Sequence, residues 1–452
     1  MSKNKLRIKN KGISLFLLLA EFFCVFTGCT HVSDSPALQD PIEYAAEDTR
    51  SAPTKYEGFK EIFMDHDNPI PAEAVEWIDY YNGRFGDGSA DRVIMTRDEI
   101  DALNREITEK CDAVYDIEYT ESTRMGDDVR AMIERYAIPA ASTVRRDGSA
   151  ITSAEREYVF ANRNLEKIPD EVAPKGAIIT SRCSLRSLPT DIGFYAAGDT
   201  YYDKIEETEL IAGFPVLVLH ESADGAFVFV ESYYYRGWVD SRFAAYCSAE
   251  KYGLFKGSTN LVTVTAKRTY ASGSVLDMGA RLPYVSEDRD NFYVSLPSRA
   301  DDGTLMLATT SLTKSSAVFG SLPFTMKNYF AQAFKYLGTD YGWGGADGNV
   351  DCSGFVCAVM RSFGIYLPRN TGDQSSLPVL LTSVSGTGEA NIKTTIESAD
   401  APTAIYRPGH VMLYLGTVDG VIHVIHAPTG GDKVKVAPLT YLTNITGIRE
   451  FK

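Results

Sequence analysis

Apolar residues recur at three- and four-residue intervals through MTRDEIDALNREITEKCDAVYDI, where Ile100, Leu103 and Ile107 share a register. Thr96, followed by acidic residues, supplies an N-cap, so the segment predicts a helix. DDVRAMIERYAIP repeats the pattern and stops at Pro139. After Pro174 the period shortens. FPVLVLHES, GAFVFVESYYYRGWV, NLVTVTAK and DNFYVSLP alternate apolar and polar positions between Gly, Asp and Ser turns, which predicts short strands of small β-barrels, with room for two. From Phe324 onward both periods occur. Phe355, Val356, Val359, Met360 and Phe363 fall on one helical stripe, and later segments alternate as strands. The whole reads as an α+β protein with a mainly helical N-terminal region.

Composition narrows the class. The chain is 44% hydrophobic and 11% aromatic, a globular balance, and its formal charge of −15 excludes the basic footprint of a nucleic-acid partner. MSKNKLRIKNKG followed by ISLFLLLAEFFCVFTG has the basic and apolar regions of a secretory signal. The chain holds seven cysteines, and their spacing is too wide for a compact disulfide framework. It contains neither a C-x-x-C pair nor an H-E-x-x-H, so a zinc site is not expected, and chemistry at a cysteine thiol requires neither a metal nor an organic cofactor.

The stretch YGWGGADGNVDCSGFVCAVMRSFGIYLPR places Cys352 between Asp351 and Ser353, where the helical stripe begins. Helix N-termini carry partial positive charge, which favours thiolate and marks Cys352 as a candidate nucleophile against the plainer reading of a small buried hydrophobe. Cys357, inside the helix, reads as core. A nucleophilic thiol needs a base and a group that orients it. RPGHVMLYLGTVDGVIHVIHAP offers His410 in one strand and His423 and His426 in the next, on opposite faces. A three-residue loop pairing Gly416 with Gly420 would set His410 directly opposite His426, making His410 the base, His426 the orienter and His423 a face-exposed strand residue.

YGWGG, DCSGFV, LPRNTGDQ, PGHVMLYLG and VIHA, in that order, resemble the NlpC-type or p-sixty family of bacterial cysteine peptidases. The resemblance implies a papain-like α+β domain, and the upstream chain is similar to members carrying a helical region and two bacterial SH3-like barrels. The expected organisation is a signal over 1–28, a tether over 29–55, a helical region over 56–172, barrels over 173–250 and 251–322, and the peptidase domain over 323–452. Gly28-Cys29 resembles a lipoprotein cleavage site, with lipid on Cys29; simple secretion is the alternative. Carried over by position, Cys352 is the nucleophile, His410 the base and His426 the third polar residue, with Tyr341, Trp343, Asp351 and Ser353 lining the groove. Asp351 and Ser353 would hold the free amine of an N-terminal L-alanine, or act as helix caps. A barrel wall would close one end of the groove through Tyr233, Tyr234 or Tyr235, with Tyr235 taken as representative. The implied activity is hydrolysis of the γ-D-glutamyl–L-diamino-acid bond of murein peptides by an exported, lipid-anchored envelope enzyme. Alternatives are an N-acetylmuramoyl amidase or acyl transferase on the same scaffold, or a wall-binding protein without catalysis.

Overall fold

The computed structural model describes residues 68–120 and 122–452; the signal segment, the tether and Cys29 lie outside the described residues. Helix α1 (Ala72–Phe85) is followed by α2 (Arg97–Lys110), which starts at a reciprocal capping box between Thr96 and Glu99 and buries Ile100, Leu103 and Ile107. Helices α3 (Gly126–Glu134) and α4 (Ser153–Ala161) complete the N-terminal set. The set braces elements much later in the chain. The Asn104 side chain in α2 donates to the Gly364 carbonyl at 2.7 Å and accepts from the Tyr366 N–H at 2.9 Å.

The alternating segments form strands as their period requires. An antiparallel sheet of seven strands runs in the spatial order 206–210, 183–186, 236–240, 227–231, 215–221, 175–179, 244–246, around the fully buried Trp238. Helix α5 (Ala249–Lys256) leads into a second sheet of five strands within residues 261–319, three of them consecutive hairpin strands at 281–287, 291–299 and 305–313.

The C-terminal part opens with α6 (Met326–Phe334) and α7 (Cys352–Arg361), then the short α8 (Thr371–Ser376) and α9 (Glu389–Glu397). Every residue of α7 is buried, so the stripe seen in the sequence belongs to a helix enclosed on all sides. It packs on one face of a six-stranded antiparallel sheet ordered 381–383, 447–450, 403–407, 410–418, 421–426, 435–438, and α9 covers the other face.

The hairpin between strands His410–Val418 and Val421–His426 corrects the expected register. Its turn is two residues, Asp419-Gly420, closed by Val418 opposite Val421, with φ of 50° and 76° as a type I′ turn demands. A bulge between Tyr414 and Gly416 then shifts the ladder to Leu413 opposite Ile425. Continued, this register puts His426 across from Met412. The shift from the expected pairing is even, so the histidines keep a common face and meet diagonally rather than directly.

Candidate active site

Asp351 caps α7, accepting from the Gly354 N–H at 2.7 Å, and so fixes where the helix begins and where Cys352 stands. The Cys352 sulfur lies 3.5 Å from the Thr371 hydroxyl, and the Val411 N–H, one residue beyond His410, favours its thiolate. His410 begins its strand, and its Nε2 meets His426 Nδ1 at 2.8 Å, the rings tilted by 70°. All three side chains are buried. His423 points elsewhere: half-buried, its ring packs 5.6 Å from Trp77 of α1.

The thiol's surroundings differ from those expected of a helix N-terminus. Burial pushes Cys352 up, and the Asp351 carboxylate adds to the push; Thr371, Val411 and Arg369 pull more weakly the other way. Burial is the larger cause and the cap adds to it: a carboxylate already occupies the positive end of the helix, so the thiolate gains less there. Burial, His426 and Arg407 bring His410 down to about 3. The resting pair is therefore thiol and neutral imidazole. Carbamidomethylation of Cys352, with Cys352→Ala as blank, should accelerate only as the pH rises beyond the ordinary thiol value of about 8.5; a rate already level by pH 7 would contradict this.

Asp351 and Ser353 are buried, and their side chains already have partners within the protein. Arg369, 2% exposed, donates to both Asp351 oxygens at 3.0 and 2.7 Å and to the Ser353 hydroxyl at 2.9 Å. Its Nε donates to Thr208 of the seven-stranded sheet at 2.6 Å, and Gly344 N–H donates to the remaining side of the Asp351 carboxylate at 3.0 Å. Against burial, Arg369 holds the Asp351 carboxyl below its usual range. A substrate ammonium would have to displace that guanidinium.

The YGWGG motif has a steric origin. Gly344 and Gly345 sit at φ 63° and 92°, and a Cβ on Gly345 would lie 1.9 Å from the Glu209 carboxylate. Arg182 ties this loop down through the Gly345 and Asn349 carbonyls, at 2.8 and 2.9 Å. Tyr341 is half-buried and Trp343 is 40% exposed. Between them and the 429–430 loop stands Tyr202, edge-on to Trp343 at 5.4 Å and accepting from the Gly430 N–H at 2.8 Å. Sequence reading missed this residue. A cavity of about 300 Å³ behind Trp343 touches Tyr341 and Asp432 but not Cys352 or either histidine.

Of the three consecutive tyrosines, Tyr233 and Tyr234 are stacked on each other and pack beside Phe214, with Arg361 at the far end of α7 over Tyr234 and Phe214. Tyr235 is buried, and its hydroxyl donates to the Glu207 carboxylate, with Asn370, the residue before Thr371, acting weakly on it. Glu207, half-buried and pushed up chiefly by burial, was also missed. A signal existed: KIEETEL places three glutamates in a strand that must enter a core, and buried carboxylates demand partners.

A model described as the NlpC/P60 family matches residues 338–446, a span that holds Cys352, His410 and His426, and one described as an SH3 domain of the SH3b1 type matches residues 193–240. The chain is 27% identical over 273 residues to a gamma-D-glutamyl-L-lysine dipeptidyl-peptidase of Bacillus cereus, covering 54% of this chain and 75% of the relative. A protein of the same name from Bacillus subtilis is 29% identical over 111 residues, 23% of this chain and 33% of the relative. An NlpC/P60 endopeptidase from Photobacterium damselae subsp. piscicida shares the fold with TM-score 0.67 at 20% identity, over 82% of this chain and 96% of that one. With its thiol and two imidazoles inside the matched segment, this chain carries an NlpC/P60 domain, the domain of a family of peptidoglycan-hydrolysing cysteine peptidases, with an SH3 domain ahead of it.

Proposed function

We propose that the chain hydrolyses the γ-D-glutamyl–L-diamino-acid bond of murein stem peptides that begin with a free L-alanine. The observation that carries this reading is a buried thiol at the start of α7, beside Thr371, together with a buried imidazole pair at the ends of two sheet strands, with the Glu207–Tyr235 pair on the barrel side. Cys352 Sγ attacks the γ-carbonyl carbon while its proton passes to His410 Nδ1, since Nε2 is held by His426. The oxyanion that forms is met by backbone N–H groups at the start of α7. Collapse transfers the proton to the leaving amine and breaks the C–N bond. Water then hydrolyses the thioester with His410 as base and frees the thiol.

In this reading the free ammonium is taken by Glu207 rather than by Asp351, whose oxygens already serve Arg369. Tyr341 and Trp343 line the opposite flank. The expected domain limits stand as part of the proposal, as do export through the 1–28 signal and lipid on Cys29. The deciding test is digestion of defined muropeptides with and without a free N-terminal L-alanine, with product masses read for cleavage after γ-D-glutamate. Glu207→Gln should raise KM for free-amine peptides by about 10-fold or more, the worth of a charge-assisted hydrogen bond, and leave kcat little changed. Equal cleavage of N-acetylated and free peptides, or glycan–peptide cleavage instead, would overturn the assignment.

A further inference from the structure

Each histidine of the pair has a cation directly across the ladder. Arg407 faces His410 in the antiparallel pairing of strands 403–407 and 410–418, and Lys435 faces His426 in that of strands 421–426 and 435–438. Residues so placed project from the same side of a sheet with Cβ atoms about 5 Å apart. Lys435 in turn holds Asp432 at 2.5 Å, and the Asp432 carboxylate accepts from the Lys433 N–H at 2.8 Å. His426 Nε2 is buried without a hydrogen-bond partner among the described residues. Of the other charged groups, Asp432 acts on His426 alongside Lys435 and Arg407.

We infer that Arg407 and Lys435 are positioning residues that set the acid limit of activity, by keeping the two imidazoles uncharged and their shared proton on His410. The inference rests on the catalytic reading above. For His410 Nδ1 to accept the thiol proton, its other nitrogen, Nε2, must carry hydrogen and donate to a bare His426 Nδ1. A protonated His426 reverses that bond. Its Nδ1–H would then donate to His410 Nε2, forcing His410 into the Nδ1–H tautomer, which has no lone pair to offer the thiol. Burial alone disfavours the cation, and the orphaned Nε2 shows that nothing in the structure compensates a charge at that edge of the ring. The two cross-strand cations oppose it further, with Asp432 acting in the contrary sense; together with burial they bring His426 down to about 4.

Lys435→Met and Arg407→Gln should each move the acidic limb of kcat/KM upward, by roughly half a pH unit for the solvent-screened lysine and more for the half-buried arginine. Lys435→Arg should restore the limb. Asp432→Asn should leave it in place or move it down, opposite in sign to its own ion-pair partner. A role in holding the loop together would make Lys435→Met and Asp432→Asn alike, lowering kcat without displacing the limb, and that outcome overturns the inference. So does an unmoved limb in both cation variants. The imidazole resonances of His426, followed by NMR through a pH titration, give a second readout that needs no turnover. A rise of its titration in Lys435→Met supports the charge assignment even if Cys352→Ala proves active and the catalytic reading fails.

Discussion

Cys352→Ala and His410→Ala should each abolish muropeptide hydrolysis, by at least about 10⁴-fold in kcat, and the double variant should be no slower than either. The reason is geometric. The two groups act in one event, attack with proton transfer, so removing either removes the event, and the second loss has nothing left to take. His426→Ala should cost less, about two to four orders of magnitude, because the base survives but its tautomer is no longer enforced. His426→Asn, with an amide oxygen to accept the His410 N–H, should recover part of that. The measure is single-turnover release of the diamino-acid product from a purified peptide. Losses that multiply in the double variant would mean that the thiol and imidazole act independently. Since Cys352 is buried beside α8 and makes one polar side-chain contact, Cys352→Ala should fold, and its thermal midpoint serves as the control.

How much of this was legible beforehand depends on how local each determinant is. Cys352, His410 and His426 were readable because a helix start and two alternating strands announce themselves within short segments, and because their flanking motifs resemble a known family in order. The expected hairpin loop spans 417–419 and leaves Gly420 in the strand, whereas the turn is Asp419-Gly420, because a bulge at Leu415 cannot be seen in a run of apolar residues. The common face of the histidines survived because the error was even. Asp351 was readable as a cap, but not as the partner of Arg369, since that pair is completed by Thr208 and Gly344, distant segments that only tertiary packing assembles. The barrel's contribution was sought in Tyr233, Tyr234 and Tyr235. The first two pack under α7, whereas barrel residues that bond to the peptidase domain, Tyr202 with Gly430 and Thr208 with Arg369, sit in a loop and a strand whose composition is ordinary. Which barrel residue meets a groove depends on how two domains dock, and neither domain's periodicity encodes that.

Arg369→Met should produce the second large effect, on stability rather than on turnover alone. Both partners of the Arg369–Asp351 pair are almost wholly buried, at 2% and 6% exposure, and the arginine also satisfies Ser353 and Thr208. Taking away the guanidinium leaves a carboxylate with no countercharge in contact, the case in which breaking a buried ion pair costs about 3–5 kcal/mol. Part of the loss should be specific to the site, because the same carboxylate caps α7 and orients Gly344. The pH dependence has a definite sign. In the native protein the Asp351 carboxyl is held below its unfolded value, so the pair's stabilisation is present above that unfolded value and fades as the pH falls through the folded one. In Arg369→Met, burial dominates and the carboxyl moves above its unfolded value, so the variant carries a penalty at neutral pH that protonation relieves. The stability gap between the two proteins should therefore narrow on acidification from neutral toward pH 4. Asp351→Asn combined with Arg369→Met removes both charges and should restore much of the loss, since neither ion is then left alone in the interior. Urea unfolding of the four proteins at neutral and acidic pH tests all of this. A single variant within about 1 kcal/mol of the parent, or a gap that widens with acid, would mean that the α7 cap is held by the backbone around it and not by the arginine reaching across from the sheet side.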